Sequence, residues 1–306
     1  MQHISQRLAS EIYSCVIVWP EMVKTTKGTL LLIAYSILAG SVVAAVRLME
    51  GVGPMSMLFF RTAIGSLALG SFIVWRKGLK ELKPRYIPQT LLTSVLQLGG
   101  LVFYFLAILK TTAANATFLN YTAPIFSLLF ARLFFKERIE KSTIIGIILT
   151  FFGIILLVNP YKVSFTSTQM LGNLYALLGG ACYAAMGMSV KAIRTKVSSE
   201  YVTFWEYGLI AVVLSFAATQ TPLPVLHSNA IGLLYLGIVT CAIAFSLFNA
   251  GVKYVPAQKV FIITALEPVI GAILGGMISG EQPTWATLGG VALILGGVFV
   301  AVDRKN

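Results

Sequence analysis

Few side chains in this 306-residue sequence could do chemistry, and most of those lie inside apolar runs. Glu267 is the sharpest case: it directly precedes Pro268, within a run from 257 to 279 that holds no other acid. Proline has no N–H, so the carbonyl four residues earlier, that of Thr264, loses its helical donor. A protonated Glu267 could satisfy such an acceptor. An ionised one could pair with a cationic substrate or carry a coupling proton, and a neutral acid bracing the kink is the structural alternative. Arg61 sits in a second apolar run, where it could hold a substrate carboxylate or extend its head toward the water. Gln97, Tyr104, Asn120, Tyr121, Tyr183, Ser246, Asn249 and Thr264 add neutral polar groups. Each could bind a polar solute or make an interhelical hydrogen bond worth about 0.6–2 kcal/mol. Thr264 lies three residues before Glu267 and shares its helix face. Counted from the ends of their runs, Glu206 and Lys259 fall at the interface.

Other chemistries find no support. The two histidines, His3 and His227, fall in a tail and a loop, and Cys15, Cys182 and Cys241 are scattered through apolar sequence. No Gly-rich loop ending in Gly-Lys-Ser or Gly-Lys-Thr occurs, so nothing marks an ATP-driven pump. The reading is of a protein that is not an enzyme and needs no cofactor.

The elements that position these residues follow from composition. Hydrophobic residues make up 57% and charged ones 11% of the chain, against about 45–50% and about 25% in soluble domains. Ten runs, 28–46, 54–75, 86–109, 112–135, 142–158, 170–190, 202–219, 228–249, 257–279 and 284–302, approach the roughly 20 apolar residues a membrane-spanning helix needs. Spanning strands would be about half as long and alternating, so the expected fold is an all-α integral membrane protein of ten transmembrane helices. Residues 1–27 read as an N-terminal cytoplasmic segment; the apolar part is too short to span and no small-residue cleavage site follows it.

Basic residues set the orientation. With the N-terminus in the cytoplasm, 19 of the 23 Lys and Arg lie in cytoplasmic segments, and only Arg47, Lys110 and Lys162 lie in external ones. Both termini are then cytoplasmic, in a multi-pass protein of the cell membrane. Spread over every cytoplasmic connector without interleaved aromatics, the formal charge of +12 suits anionic lipid heads rather than nucleic acid.

The chain also repeats. A shift of 144 residues superposes Gly28 on Gly172, Leu30 on Leu174, Val46 on Val190, Phe60 on Phe204 and Pro124 on Pro268. It also pairs Glu137 with Glu281, Thr143 with Thr287, Gly146 with Gly290 and Gly153 with Gly297. Five spans per unit, an odd number, make the second unit enter the membrane from the opposite face. Two inverted five-helix repeats, 28–160 and 170–303, related by a pseudo-twofold axis, supply the two equivalent conformations that alternating access requires.

Ala123-Pro124 and Glu267-Pro268 in the fourth helix of each unit, the following Glu137 and Glu281, and a Gly-rich fifth helix resemble the EamA-type transporters of the drug/metabolite transporter superfamily. That resemblance covers nearly the whole chain. It implies a ten-helix secondary carrier of small organic metabolites, often an exporter of amino acids or related compounds, with a cavity between the units. It also implies that a basic residue at the place of Arg61 is a common feature of the fold. The favoured function is secondary active export of such a metabolite, with the lipid bilayer, a small-molecule substrate and a coupling proton as partners; whether copies associate stays open. Uptake or exchange of a nucleotide-linked or cationic metabolite is the alternative, and a non-transporting membrane assembly subunit the reading from a different class.

Overall fold

The computed structural model describes residues 23–158, 166–193, 195–280 and 283–302. The expectations for the segment before residue 23, for Lys162 and for Glu281 concern positions outside these. The described residues are helical rods joined by short connectors, without a strand among them. In chain order the rods are α1 (Val23–Arg47), α2 (Pro54–Lys77), α3 (Ile87–Lys110), α4 (Ala113–Asn120 and Ala123–Phe135, α4a and α4b), α5 (Lys141–Val158) and α6 (Met170–Ile193). They continue with α7 (Ser199–Val213), α8 (Ala230–Gly251), α9 (Ala257–Thr264 and Leu266–Ser279, α9a and α9b) and α10 (Trp285–Val302).

Nine of these, all but α7, are long and apolar enough among the described residues to cross a membrane. Their outward faces carry Leu67, Val95, Leu133, Phe152 and Phe299, large apolar side chains exposed by the rods. In water such a surface would aggregate; in lipid it is the expected solvent contact. Trp75 and Trp285 are also exposed, at the ends of α2 and α10, where an indole is at home between hydrocarbon and water.

The expected seventh span, 202–219, needs correction. Its helix begins earlier, at Ser199, because the Ser198 hydroxyl accepts the Tyr201 N–H, a serine cap. It also ends earlier, at Val213, in a tight 3₁₀ turn over Ser215–Ala217. Ser56 of α2 donates to the Ala217 carbonyl at 2.9 Å, giving the turn a partner inside the protein. Fifteen residues make a rod of about 22 Å, short of the roughly 30 Å of hydrocarbon.

Packing is closest where glycines let backbones meet. A Cβ on Gly146 of α5 would lie 2.9 Å from the Gly297 oxygen of α10, and one on Gly297 2.8 Å from the Gly146 oxygen. The same reciprocal contact joins Gly153 and Gly290, at 2.8 and 2.7 Å. Elsewhere α2 packs on α7, α3 on α6 and α4b on α9a, while α1 meets α8. α4b and α9b end alike: Lys136 and Gly280, which the 144-residue shift superposes, both take the left-handed conformation. Glycine adopts it freely, whereas lysine does so only because the helix must stop there.

Candidate functional site

Two of the rods are broken beside a proline in the middle of their apolar runs; α1 is also interrupted, at Ser41. α4 breaks at Tyr121 and Thr122, just before Pro124, and α9 breaks at Ala265, just before Pro268. Each break gives the backbone a way around a proline that cannot donate. Around the breaks the chain bonds locally: the Tyr121 N–H donates to Thr117 O, the Thr122 hydroxyl to Leu119 O and the Ala265 N–H to Ile262 O. Irregular backbone at this depth is tolerated where protein or a cavity surrounds it.

Glu267 is the second residue of α9b and is half-buried. Tyr35 of α1 donates its hydroxyl hydrogen to Glu267 Oε2 at 3.4 Å. The Tyr35 and Tyr183 hydroxyls lie 2.6 Å apart. With Tyr35's one hydrogen directed at the acid, the Tyr183 hydroxyl is the donor to Tyr35. The result is an ordered chain from α6 through α1 to α9. Close approach of α1 to α9 allows it: a Cβ on Gly40 would lie 2.7 Å from the Glu267 carbonyl oxygen.

Aromatic rings fix the two tyrosines. Tyr35 packs on Phe248 at 5.0 Å and edge-on against Phe245 at 5.3 Å. Tyr183 meets Phe261 edge-on at 4.9 Å and stacks along Phe248 at 6.0 Å. Such offset and edge geometries suit the ring quadrupoles and hold the hydroxyls in place.

The sequence-selected residues distribute unevenly around this centre. Tyr121 at the α4 break, Tyr104 of α3 and Tyr183 all interact electrostatically with Glu267. Tyr104 also pairs with the Thr117 hydroxyl at 3.2 Å. Asn120 ends α4a against α6, with its carbonyl oxygen 2.6 Å from where a Cβ on Gly180 would lie. Thr264 is buried and donates to Phe261 O at 3.4 Å, within its own helix. Gln97 is buried in α3. Arg61 donates through Nε to Cys241 Sγ at 3.2 Å, in electrostatic contact with Tyr207, Tyr35 and Glu267. Cys241 lies in a π-helical stretch of α8, Leu236–Ile243; such wide turns shift the register of a helix and recur at functional sites. Asn249 is fully buried, and its amide donates to Thr203 at 2.9 Å and to Glu206 Oε2 at 3.3 Å.

Two residues change standing. Glu206, expected at the interface, is completely buried in the middle of α7 with Asn249 beside it. Lys259 does lie near a connector, paired with Glu140 at 2.6 Å, but is itself buried. Sequence reasoning passed over Tyr35 and Tyr207, because a lone tyrosine in an apolar helix carries no signal that separates an anchor from packing.

A separate pocket of about 210 Å³ opens among connectors, lined by Lys77, Glu81, Arg85, Lys196, Ser198 and Tyr201. Beside it Lys253 donates to Val197 O at 3.0 Å. Burial holds the Lys253 ammonium below the usual lysine range, opposed by Glu200 and reinforced by Lys77.

Comparison with known proteins places this geometry in context. The EamA-like transporter family matches residues 26–159 and 170–302. A protein of Archaeoglobus fulgidus named only as an uncharacterized transporter is 30% identical over 90% of this chain and 96% of its own. The pseudopaline exporter CntI of Pseudomonas aeruginosa is 28% identical over 82% of this chain and 87% of its own. A solved structure titled only as the crystal structure of a protein superposes with a TM-score of 0.78 at 21% identity, over 90% of this chain and 96% of that one; at that identity the likeness speaks for the fold.

Proposed function

The chain belongs to the EamA-like transporter family, and on that premise we propose that it is a secondary active carrier moving a small polar organic metabolite by alternating access. Export of amino acids or related metabolites is the favoured case. One observation carries the reading: an acid, Glu267, held by Tyr35 and Tyr183 beside a helix break deep in the apolar interior. An intramembrane acid is costly and invites a functional role. A carboxylate there attracts an amine, and Arg61, in electrostatic contact with it, offers the complementary charge for a carboxylate. Tyr104, Tyr121 and Asn120 would supply neutral hydrogen bonds around such a zwitterion, and Gln97, Asn249 and Thr264 are further polar candidates. The name of the Pseudomonas aeruginosa relative, an exporter, favours the outward direction. Glu267 without Arg61 would instead suit the alternative, a cationic metabolite.

The inverted-repeat reading, units 28–160 and 170–303, draws support from packing. The contact of Gly146 with Gly297 has as its repeat mate the contact of Gly290 with Gly153. Likewise Gly28 approaches Tyr254, and its mate Gly172 approaches Lys110, the residue 144 positions before Tyr254. Exchange of such equivalent contacts is how a site at the repeat interface opens to alternate sides. The orientation with both termini cytoplasmic rests on the distribution of basic residues.

Counterflow tests the reading. Liposomes containing the purified protein, preloaded with candidate amino acids, cationic metabolites or nucleotide-linked solutes, are scanned with and without a pH gradient. Exchange of an amino acid that follows the gradient is the expected result. Absence of counterflow for every solute class would remove the reading.

A further inference from the structure

Among the described residues six buried side-chain polar atoms lack a hydrogen-bond partner, and five of them lie on the packed pair α7 and α8. These are Trp205 Nε1, Glu206 Oε1 and Tyr207 OH on α7, with Ser246 Oγ and Asn249 Oδ1 on α8. An unsatisfied buried polar group is destabilising, so several of them on two packed helices point to something besides packing. Ser246 and Asn249 are three residues apart, as are Thr203 and Glu206, so each pair shares one face of its helix.

The hydrogen-bond accounting identifies what the cluster needs. Asn249 Nδ2 donates to Thr203 Oγ1 at 2.9 Å and to Glu206 Oε2 at 3.3 Å. Thr203 passes its own hydrogen to Ser199 O at 3.0 Å. Both amide hydrogens are thereby committed, leaving Glu206 Oε1 and Asn249 Oδ1 as acceptors without a donor. Nor is a cation at hand: the carboxylates in ion pairs among the described residues are Glu81, Glu137 and Glu140. An ionised, unpaired carboxylate in such a place is strongly disfavoured. One hydrogen on Glu206 removes the charge and converts an orphan acceptor into a donor.

We infer that Glu206 is a second proton-binding residue of this protein. In the binding step a Glu206 oxygen lone pair takes a proton from hydronium, an O–H bond forms and water departs; release reverses it. Titratable neighbours are few. Tyr207 adjoins Glu206 on α7, and Tyr183 of α6 interacts electrostatically with both Glu206 and Glu267. Arg61 of α2 and Cys241 of α8 act on Tyr207, and Tyr104 of α3 acts on Glu267. Tyr183 then continues to Glu267 through Tyr35, by contacts of 2.6 and 3.4 Å. Calling the proton on Glu206 a driving proton rests on the transport reading above; the binding itself does not.

Infrared difference spectroscopy of the full chain in lipid nanodiscs, titrated in choline chloride buffers, reads neutral carboxylic acids directly and needs no substrate. Its outcome is therefore separable from whether any solute shows counterflow. Glu206→Gln is expected to remove one titrating carboxylic band. Glu206→Asp should retain the band at a shifted position, and Asn249→Leu should shift its pH midpoint. Tyr183→Phe should shift the midpoint of the remaining Glu267 band. If Glu206→Gln leaves the spectrum unchanged, the inference is wrong. Should that variant not fold, an unmoved band in Glu206→Asp decides against it equally. Loss of the Glu206 band when sodium replaces choline at constant pH would assign the place to a metal cation and overturn the proton.

Discussion

The chain of Tyr183, Tyr35 and Glu267 makes a quantitative prediction because its three members are not equivalent. Tyr35 stands between the others, accepting from Tyr183 at 2.6 Å and donating to Glu267 at 3.4 Å. Tyr35→Phe leaves both neighbours without that partner, two losses at about 1 kcal/mol each. Tyr183→Phe leaves Tyr35 still able to reach the acid, a loss of about 1 kcal/mol. Once Tyr35 is already Phe, removing the Tyr183 hydroxyl removes an orphan and costs nothing further. The double variant should therefore be about as stable as Tyr35→Phe, roughly 1 kcal/mol short of additivity, within the range seen for directly coupled residues. Ring packing against Phe245, Phe248 and Phe261 is kept in every variant, so the cycle isolates the hydroxyls. Reversible unfolding in mixed micelles measures the four stabilities. Additivity within about 0.4 kcal/mol, or a larger loss for Tyr183→Phe than for Tyr35→Phe, would refute the ordered chain.

Three further outcomes follow from the same geometry. Gly153→Ala and Gly290→Ala each force a Cβ to within 2.7 Å of its nearest neighbour and should destabilise by about 1–3 kcal/mol, while Gly296→Ala, with nothing within 4 Å, should be neutral or mildly stabilising in the same unfolding assay. Cysteines at Leu79 and Leu223, exposed repeat mates, placed singly in a background freed of Cys15, Cys182 and Cys241, should react with an impermeant thiol reagent from opposite sides of the membrane; labelling from one side would end the inverted-repeat reading. Glu267→Gln should abolish the pH response of counterflow, and full retention of both transport and response would remove the coupling role of that acid.

Continuous apolar runs made the rods legible, since a helix in lipid must satisfy its own backbone and has a length set by the bilayer. Glu267 was legible for the same reason: an acid before a proline in such a run has no ordinary excuse. Tyr35 was not, because one tyrosine among leucines reads as packing until its partners 148 and 232 residues away are in place. Glu206 was misread through a boundary. Starting the span at 202 put the acid four residues inside; the cap at Ser198 starts it at Ser199, and the short rod makes Glu206 its central residue.

The positions that agree between the two halves and those that differ divide along a physical line. Matching positions are the ones where backbones touch: Gly146 with Gly290, Gly153 with Gly297, Lys136 with Gly280 as left-handed stops. Most positions that could do chemistry differ between the halves, Asn120 and Thr264 being polar in both. Glu267 stands opposite Ala123, Glu206 opposite Thr62, Arg61 opposite Trp205, Tyr183 opposite Ala39 and Asn249 opposite Phe105. On the inverted-repeat reading this is what a carrier needs. Packing must be nearly equivalent in its two conformations so that neither is far below the other in free energy, and that constrains both copies of every contact. The ligand occupies one place, so its polar partners need exist only once, and a second buried acid at residue 123 would add a desolvation penalty without a ligand to offset it. Tyr35 shows the trade most directly: its counterpart is Gly179, where a Cβ would already lie 2.9 Å from Asn120 Oδ1. The missing side chain in one half makes room for an amide at the α4 break, while the full ring in the other half delivers a hydroxyl to the acid at the α9 break.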